Sequence, residues 1–419
     1  MEPGLADLQE SAFRREMRSI MNGDQPFPRS SARRHHFVPA FSLAQFADPR
    51  GSRKGWIFQL DVRSGKPQRT RPDDTAYAKD LYAYEDDDGE VSLRVEAFFS
   101  LVEKHAAPAL ARLREAPEEL TPQDRETIAY FLVLQESRTP TGLLRNERLR
   151  QATLEIQAGI DLSSLSGFRE AFKSDIVDSL SLDEAEAMRR RMQQQLFEGQ
   201  IGYEAPTTGA LAQIVGGAND VAKEVYSLDW VVLTATDEEF ITSDRPISMI
   251  DHTPRHPWSG NAWKSSPGAI NFYPLSPTKG LFMTPGDDCG FSLGESDNEH
   301  VRRLNLMTYG WADHFIYGRT QEVVSRVRKQ ARRYRQEVAK RRPPTCTLLL
   351  PADRFDKSVT AEYERRGWPR GFEVTNDDGE RVLMSYIVVD LDEAAGTAAR
   401  AATKAASYLT TSDQRATSE

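Results

Sequence analysis

Long apolar runs and a cysteine framework are both missing from this sequence. No stretch approaches the roughly eighteen uninterrupted apolar residues that a membrane helix needs. The opening MEPGLADLQESAFRREM mixes acids with arginines and lacks the apolar core of a signal peptide. A cytoplasmic protein without a membrane partner is therefore expected. The two cysteines, Cys289 and Cys346, stand far apart with no neighbouring cysteine or paired histidine, which excludes a disulfide framework and a zinc-thiolate knuckle. Net positive charge is also absent. With 54 Lys and Arg against 63 Asp and Glu, the formal charge of -9 excludes unselective phosphate binding by the whole surface and leaves room only for a local basic patch. Four familiar catalytic signatures do not occur: the Walker phosphate loop, the glycine fingerprint of dinucleotide-binding folds, the His-Glu-x-x-His zinc pair and the Gly-x-Ser-x-Gly elbow. NTPases, dinucleotide oxidoreductases, zinc proteases and α/β-hydrolases all lose ground.

What is present is enough to fold. A hydrophobic fraction of 39% drives collapse, while 28% charged residues give a well-solvated exterior. Five regions are expected: a mobile arm over 1–31, a core domain over 32–318, a basic amphipathic helix over 319–344, a small α+β appendage over 345–392 and a low-complexity tail over 393–419. Within the core, alternation in WIFQLDV followed by Arg63-Ser64-Gly65-Lys66 predicts a hairpin. Helical spacing from Val95 to Leu113 predicts a helix that Pro108 kinks or splits. Thr121, Pro122 and Asp124 open a second helix, which runs to about Arg138. Further helices are expected over 143–158, 179–197 and 209–225, then short strands around 230–236, 240–242, 270–273 and 280–284. Helices grouped early and strands grouped later predict an α+β fold, its helical N-terminal half packed on a mostly antiparallel sheet.

Several polar residues stand where chemistry could happen. His35 and His36 are suited to proton transfer or metal binding near neutral pH, but adjacent strand residues point to opposite faces, so one enters a site while the other hydrogen-bonds elsewhere. The apolar stripe Ile128, Phe131, Leu132 runs directly onto Gln135 and Arg138. A buried amide and a buried guanidinium need polar partners, either a ligand phosphate or carboxylate or a structural ion pair with Asp244 or Glu103. Glu96 and Glu103 lie about 10 Å apart along one helix side by helix rise, too far to share a metal easily. Glu96 is the better site candidate, with Phe99 nearly one turn on. Ser243-Asp244-Arg245-Pro246 ends a strand, where Asp244 could orient a histidine or hold a divalent cation and Ser243 could attack if a base lay within reach; ordinary turn chemistry accounts for the same residues. In the basic helix, Arg326, Arg328, Lys329, Arg332 and Arg333 could line a nucleic-acid path or form a solvated face, and no aromatics interleave them.

The segments Arg34-His35-His36-Phe37-Val38-Pro39, Gln135-Glu136-Ser137-Arg138-Thr139-Pro140, Ile241-Thr242-Ser243-Asp244-Arg245-Pro246 and Pro274-Leu275-Ser276-Pro277, with Asn305, resemble a bacterial domain-of-unknown-function family, number 4238. That family usually has Tyr, Gln and Asn where this chain has Phe37, Ala40 and Arg245. The resemblance covers about 34–318 and implies kinship without an activity.

These residues yield two expectations. One is a hydrolase acting on a phosphoester or nucleic acid, with His35, His36, Ser243 and Asp244 as catalytic groups and Gln135, Arg138, Glu96 and Asn305 binding substrate, with or without a divalent metal. The other is a noncatalytic binding or sensing module in bacterial defence or regulation, taking a small-molecule or nucleic-acid ligand, in which the same residues form a structural network.

Overall fold

Apolar periodicity sets the two central helices, and their caps set where they begin. The computed structural model describes residues 11–22, 24–26, 30–85, 89–201, 207–251, 269–286, 289–333, 345–351, 372–375 and 381–390. In chain order the elements are α1 (Ala12–Met21), β1 (Arg34–His36), α2 (Ala40–Leu43), β2 (Ile57–Asp61), β3 (Pro67–Thr70), β4 (Tyr77–Lys79), β5 (Tyr84–Glu85), β6 (Val91–Ser92), α3 (Arg94–Glu115), α4 (Pro122–Ser137) and α5 (Pro140–Asp161). Then follow α6 (Leu165–Ala171), α7 (Asp175–Ser179), α8 (Leu182–Phe197), α9 (Thr207–Tyr226), β7 (Asp229–Ala235), β8 (Thr242–Ser243), β9 (Ser248–Asp251), β10 (Ala269–Pro274), β11 (Lys279–Thr284), β12 (Phe291–Ser296) and α10 (Asn298–Trp311). The chain closes with β13 (Phe315–Gly318), α11 (Gln321–Arg333), β14 (Thr345–Pro351), β15 (Phe372–Thr375) and β16 (Arg381–Asp390). The fold is α+β.

One compact unit takes in 1–144, 207–254 and 259–341, and a second takes in 145–206, 255–258 and 342–419. In the first, a five-stranded sheet of order β12-β7-β11-β10-β9 is antiparallel except where β12 runs parallel to β7. Alternation gives it two apolar faces. Trp230, Val232, Leu281, Met283 and Tyr273 join the large core built on α3, α4 and α9. Leu233 and Phe272 face the other way, with Val301 and Leu304 of α10. A four-stranded sheet of order β3-β2-β13-β8 carries α11 on one face, where Leu60 and Ile316 meet Val323, Val324 and Val327. Its other face packs Ile57 and Tyr317 against Val38, Leu43 and Phe46.

In the second unit, Ala158 and Leu162 at the end of α5 form a small core with Phe168, Val177, Ala185 and Leu196. Strands β14, β16 and β15 make an antiparallel three-stranded sheet in that order.

Several local expectations need correcting. Pro108 does not split α3, which runs unbroken from Arg94 to Glu115 with the proline on an exposed position. A helix this long, anchored by buried residues on both sides of the proline, tolerates one missing amide bond. Strands β9, β12 and β13 and helix α10 were not foreseen, nor were α6 and α7. Phe13 of α1 is buried and packs on Tyr130, with ring centroids 4.9 Å apart. The far end of the basic helix beyond Arg333, the helical segment expected around 357–366 and the tail over 393–419 lie outside the described residues.

Candidate functional site

Helix α4 is buried on every side: each residue from Asp124 to Glu136 is inside the protein. Its start follows from a capping box, in which Thr121 accepts from the Asp124 amide while the Asp124 carboxylate accepts from Thr121. A helix with no solvent face must find partners for its polar side chains internally, because an unpaired buried charge costs several kcal/mol. Arg125 donates to the carbonyls of Tyr226 (3.1 Å), Leu228 (2.6 Å) and Cys289 (2.7 Å). Glu126 pairs with Arg14 of α1. At the other end, Gln135 donates to Phe37 O at 2.8 Å and Glu136 pairs with Arg245 at 2.9 Å, both members of that pair being buried.

Arg138, the C-cap of α4, has the richest surroundings. Its guanidinium contacts the His36 carbonyl, pairs with Glu103 at 2.6 Å and lies over the Phe99 ring at 4.7 Å. The Tyr82 hydroxyl donates to the Arg138 carbonyl at 2.8 Å. Burial alone would lower the Arg138 pKa, but Glu103 and Tyr82 together more than reverse this. The sequence left a ligand or an ion pair open at this position. The partner present is Glu103 together with the backbone of the histidine segment; Asp244 does not contact Arg138.

His35 is fully buried and both ring nitrogens are used. The Tyr82 amide donates to Nδ1 at 2.9 Å, which fixes the proton on Nε2, where Ala32 O accepts at 2.9 Å. Its ring lies parallel to that of Tyr82. Burial holds its pKa below the usual histidine value. His36 points the other way, as strand alternation requires. It is half-buried, its Nε2 is 3.3 Å from Asp73 O, and its Nδ1 makes no hydrogen bond to a described residue. Burial lowers its pKa too, against the pull of Glu103.

Asp244 occupies a tight turn rather than an open cleft. Its two oxygens accept from the amides of Asp313 (2.8 Å), His314 (2.6 Å) and Phe315 (2.9 Å). Burial nevertheless pushes its pKa up to about 6, helped by the charge of Asp313 and opposed by those three amides. Ser243 Oγ donates to Arg245 O at 2.6 Å and accepts from the Arg245 amide, a local turn that leaves no base beside the hydroxyl. Neither Asp244 orienting a histidine nor Ser243 activated by one matches these contacts. Asn305 spans two backbone groups, accepting from Ile241 N (2.9 Å) and donating to Glu239 O (2.8 Å).

Like Gln135, whose Oε1 is also buried with no partner among the described residues, Glu96 keeps an unbonded oxygen. It is 9% exposed, its Oε2 is buried without a partner, and it lies within electrostatic reach of Arg138 and Glu103. Burial pushes its pKa up to about 7, Arg138 pulling down and Glu103 pushing further up. Among the described residues no group of three or more His, Cys, Asp or Glu is placed to hold a metal ion. Sequence reasoning missed Tyr82, Arg125 and the Glu136–Arg245 pair. The usable signal was charge inside an apolar helical stripe, since Arg125, Glu126 and Glu136 all sit in one.

The motif segments therefore meet on one helix end: α4 grips the backbone of His36 and Phe37 on one side and Arg245 on the other. The family profile described as a protein of unknown function (DUF4238) matches residues 34–322, most of the chain. This protein belongs to that family. No curated protein and no solved structure matches it. The match takes in β1, α4 and the Ser243–Arg245 turn, so most of the network centred on α4 lies within the family region, while Arg14, the partner of Glu126, precedes it. Among the described residues no helix is long and apolar enough to cross a membrane.

Proposed function

We propose that the family domain is a noncatalytic binding module and that its motif residues are an internal network fixing α4 against the strands. One observation carries this: the groups that would have to do chemistry are already bonded inside the protein, mostly to backbone. Both nitrogens of His35, both oxygens of Asp244 and the hydroxyl of Ser243 hold peptide groups. Replacing such a group leaves a buried partner unsatisfied, which costs about 1–3 kcal/mol or more for charged groups. The test is denaturant unfolding of His35→Ala, Arg138→Ala and Asp244→Ala. All three should lose stability; an Asp244→Ala protein that unfolds like wild type would overturn the proposal. A bacterial, cytosolic setting in defence or regulation accompanies this reading as part of the proposal.

The hydrolase reading keeps one observation in its favour. His36, whose Nδ1 no described residue bonds, and Glu96, whose Oε2 no described residue bonds, both lie within electrostatic reach of Arg138 and Glu103. A proton donor and a proton acceptor thus lie within electrostatic reach of one buried cation. Turnover of p-nitrophenyl phosphate or its diester that disappears in both His36→Ala and Glu96→Gln, with folding intact, would establish it.

A further inference from the structure

The chain is acidic overall, yet one stretch of its surface is strongly basic. Residues 53–71 carry six cations, Arg53, Lys54, Arg63, Lys66, Arg69 and Arg71, against the single acid Asp61, and α11 carries five against Glu322. The fold puts these two segments side by side. In the β2–β3 pairing Phe58 is opposite Arg69, so those side chains share a face, as do Trp56 and Arg71 two residues further out. That face is the one on which α11 packs, because Phe58 and Leu60 meet Val323, Val324 and Val327. Arg328 reaches over the hairpin turn to donate to Ser64 O at 3.1 Å, which brings the final turns of α11 to the Arg63–Lys66 end. The result is a basic stripe about 20 Å long by strand rise.

Two features distinguish this stripe from an ordinary solvated face. Its cations are unpaired: none of Lys54, Arg63, Lys66, Arg69, Arg71, Lys329, Arg332 and Arg333 has a carboxylate partner among the described residues, whereas Arg326 reaches Glu238 and Arg53 reaches Asp73. It also contains an aromatic stack. The guanidinium carbons of Arg69 and Arg71 lie 4.3 and 4.8 Å from the ring centre of the half-buried Trp56. Guanidinium planes held against an indole are a surface on which unpaired bases stack, while free cations along the same line neutralise the backbone phosphates. Trp56 supplies the aromatic that the α11 sequence lacks.

We propose that the β2–β3 hairpin and the flank of α11 bind single-stranded nucleic acid, the phosphates running along Arg69, Arg71 and the end of α11, and a base stacking at Trp56. This names a ligand for the binding-module reading but uses none of the residues of the buried network. If no oligonucleotide binds, the surface assignment falls and the account of the network stands.

The test is fluorescence anisotropy of the full chain with a labelled oligo(dT) of about 20 nucleotides, a duplex of equal length, and vesicles containing phosphatidylserine. Expected is binding to the single strand that weakens steeply between about 50 and 200 mM salt. Arg69→Ala with Arg71→Ala should lower affinity at least about tenfold and reduce the salt slope by about 1.4. Trp56→Leu should weaken single-strand binding by about tenfold while leaving the slope unchanged. Arg303→Ala, on α10, should leave binding as it is. Should Trp56→Leu fail to fold, the arginine pair decides alone. No binding at low salt overturns the proposal, as does equal affinity for duplex or vesicles with Trp56→Leu neutral, or a loss in Arg303→Ala as large as in the arginine pair.

Discussion

At the scale of single residues, the contrast between Asp244 and Glu96 is the most informative, because burial raises the pKa of both and only one has partners. Asp244 accepts three amides. An Asn has only one acceptor oxygen and presents an NH2 to those donors, so Asp244→Asn should cost about 2–4 kcal/mol in urea unfolding. Glu96 accepts no hydrogen bond at Oε2, and its carboxyl is pushed up to about 7. Its folded pKa lies above the ordinary glutamate value, so its stabilising contribution is complete below about pH 4.5 and is lost as pH rises through 7. Glu96→Gln has no proton to lose. Its stability relative to wild type should therefore climb between pH 4.5 and 7 by about 1–3 kcal/mol and then level off, which paired pH-dependent unfolding curves would check. A flat difference would mean that Glu96 is ionised in the fold.

At the scale of elements, α4 decides the architecture around it. The Glu136–Arg245 pair joins it to the strand turn across a buried interface, and Arg245 also stacks on Trp311 at 4.4 Å. Removing one charge from such a pair takes a buried counter-charge away from the other. Glu136→Leu and Arg245→Met should each cost about 3–5 kcal/mol, while the double substitution recovers most of the loss in a double-mutant cycle. The sequence made the existence of α4 plain through its capping box and apolar stripe, and it flagged Gln135 and Arg138 because polar groups fell where apolar ones were due. It named Glu103 as a candidate partner of Arg138, and the two do pair, but it did not name the remaining partners. Those are backbone carbonyls of His36 and Phe37, and a carbonyl carries no residue-specific signal. The histidines drew attention as chemistry, yet His35 serves as a wedge between the Ala32 carbonyl and the Tyr82 amide, a role visible only once the chain is folded. Short strands such as β9 and β13 were missed because each is four residues long and takes its stability from neighbours far along the chain.

At the scale of the whole molecule, the α+β class was legible from the order of helical and strand-like segments, whereas the juxtaposition of the β2–β3 hairpin with α11 was not, since nearly the whole family region separates them in sequence. Within the first unit, the large core should open last. Backbone amides of α4 between Ile128 and Leu134 should exchange with deuterium only through global unfolding, while those of the exposed β2–β3 turn exchange through local opening, a difference read by native-state hydrogen exchange. Comparable rates in the two segments would mean that α4 is not the keystone described.

The basic stripe has a practical consequence at the bench. A protein with an isoelectric point of about 5.5 is ordinarily expected to flow through a cation-exchange column at neutral pH. Retention depends on the local field that a bead encounters, not on the algebraic total, and this molecule is electrically two-faced. It should therefore be held by heparin and by sulfonate resins as well as by quaternary amines, and the Arg69→Ala, Arg71→Ala protein should elute from the first two at visibly lower salt.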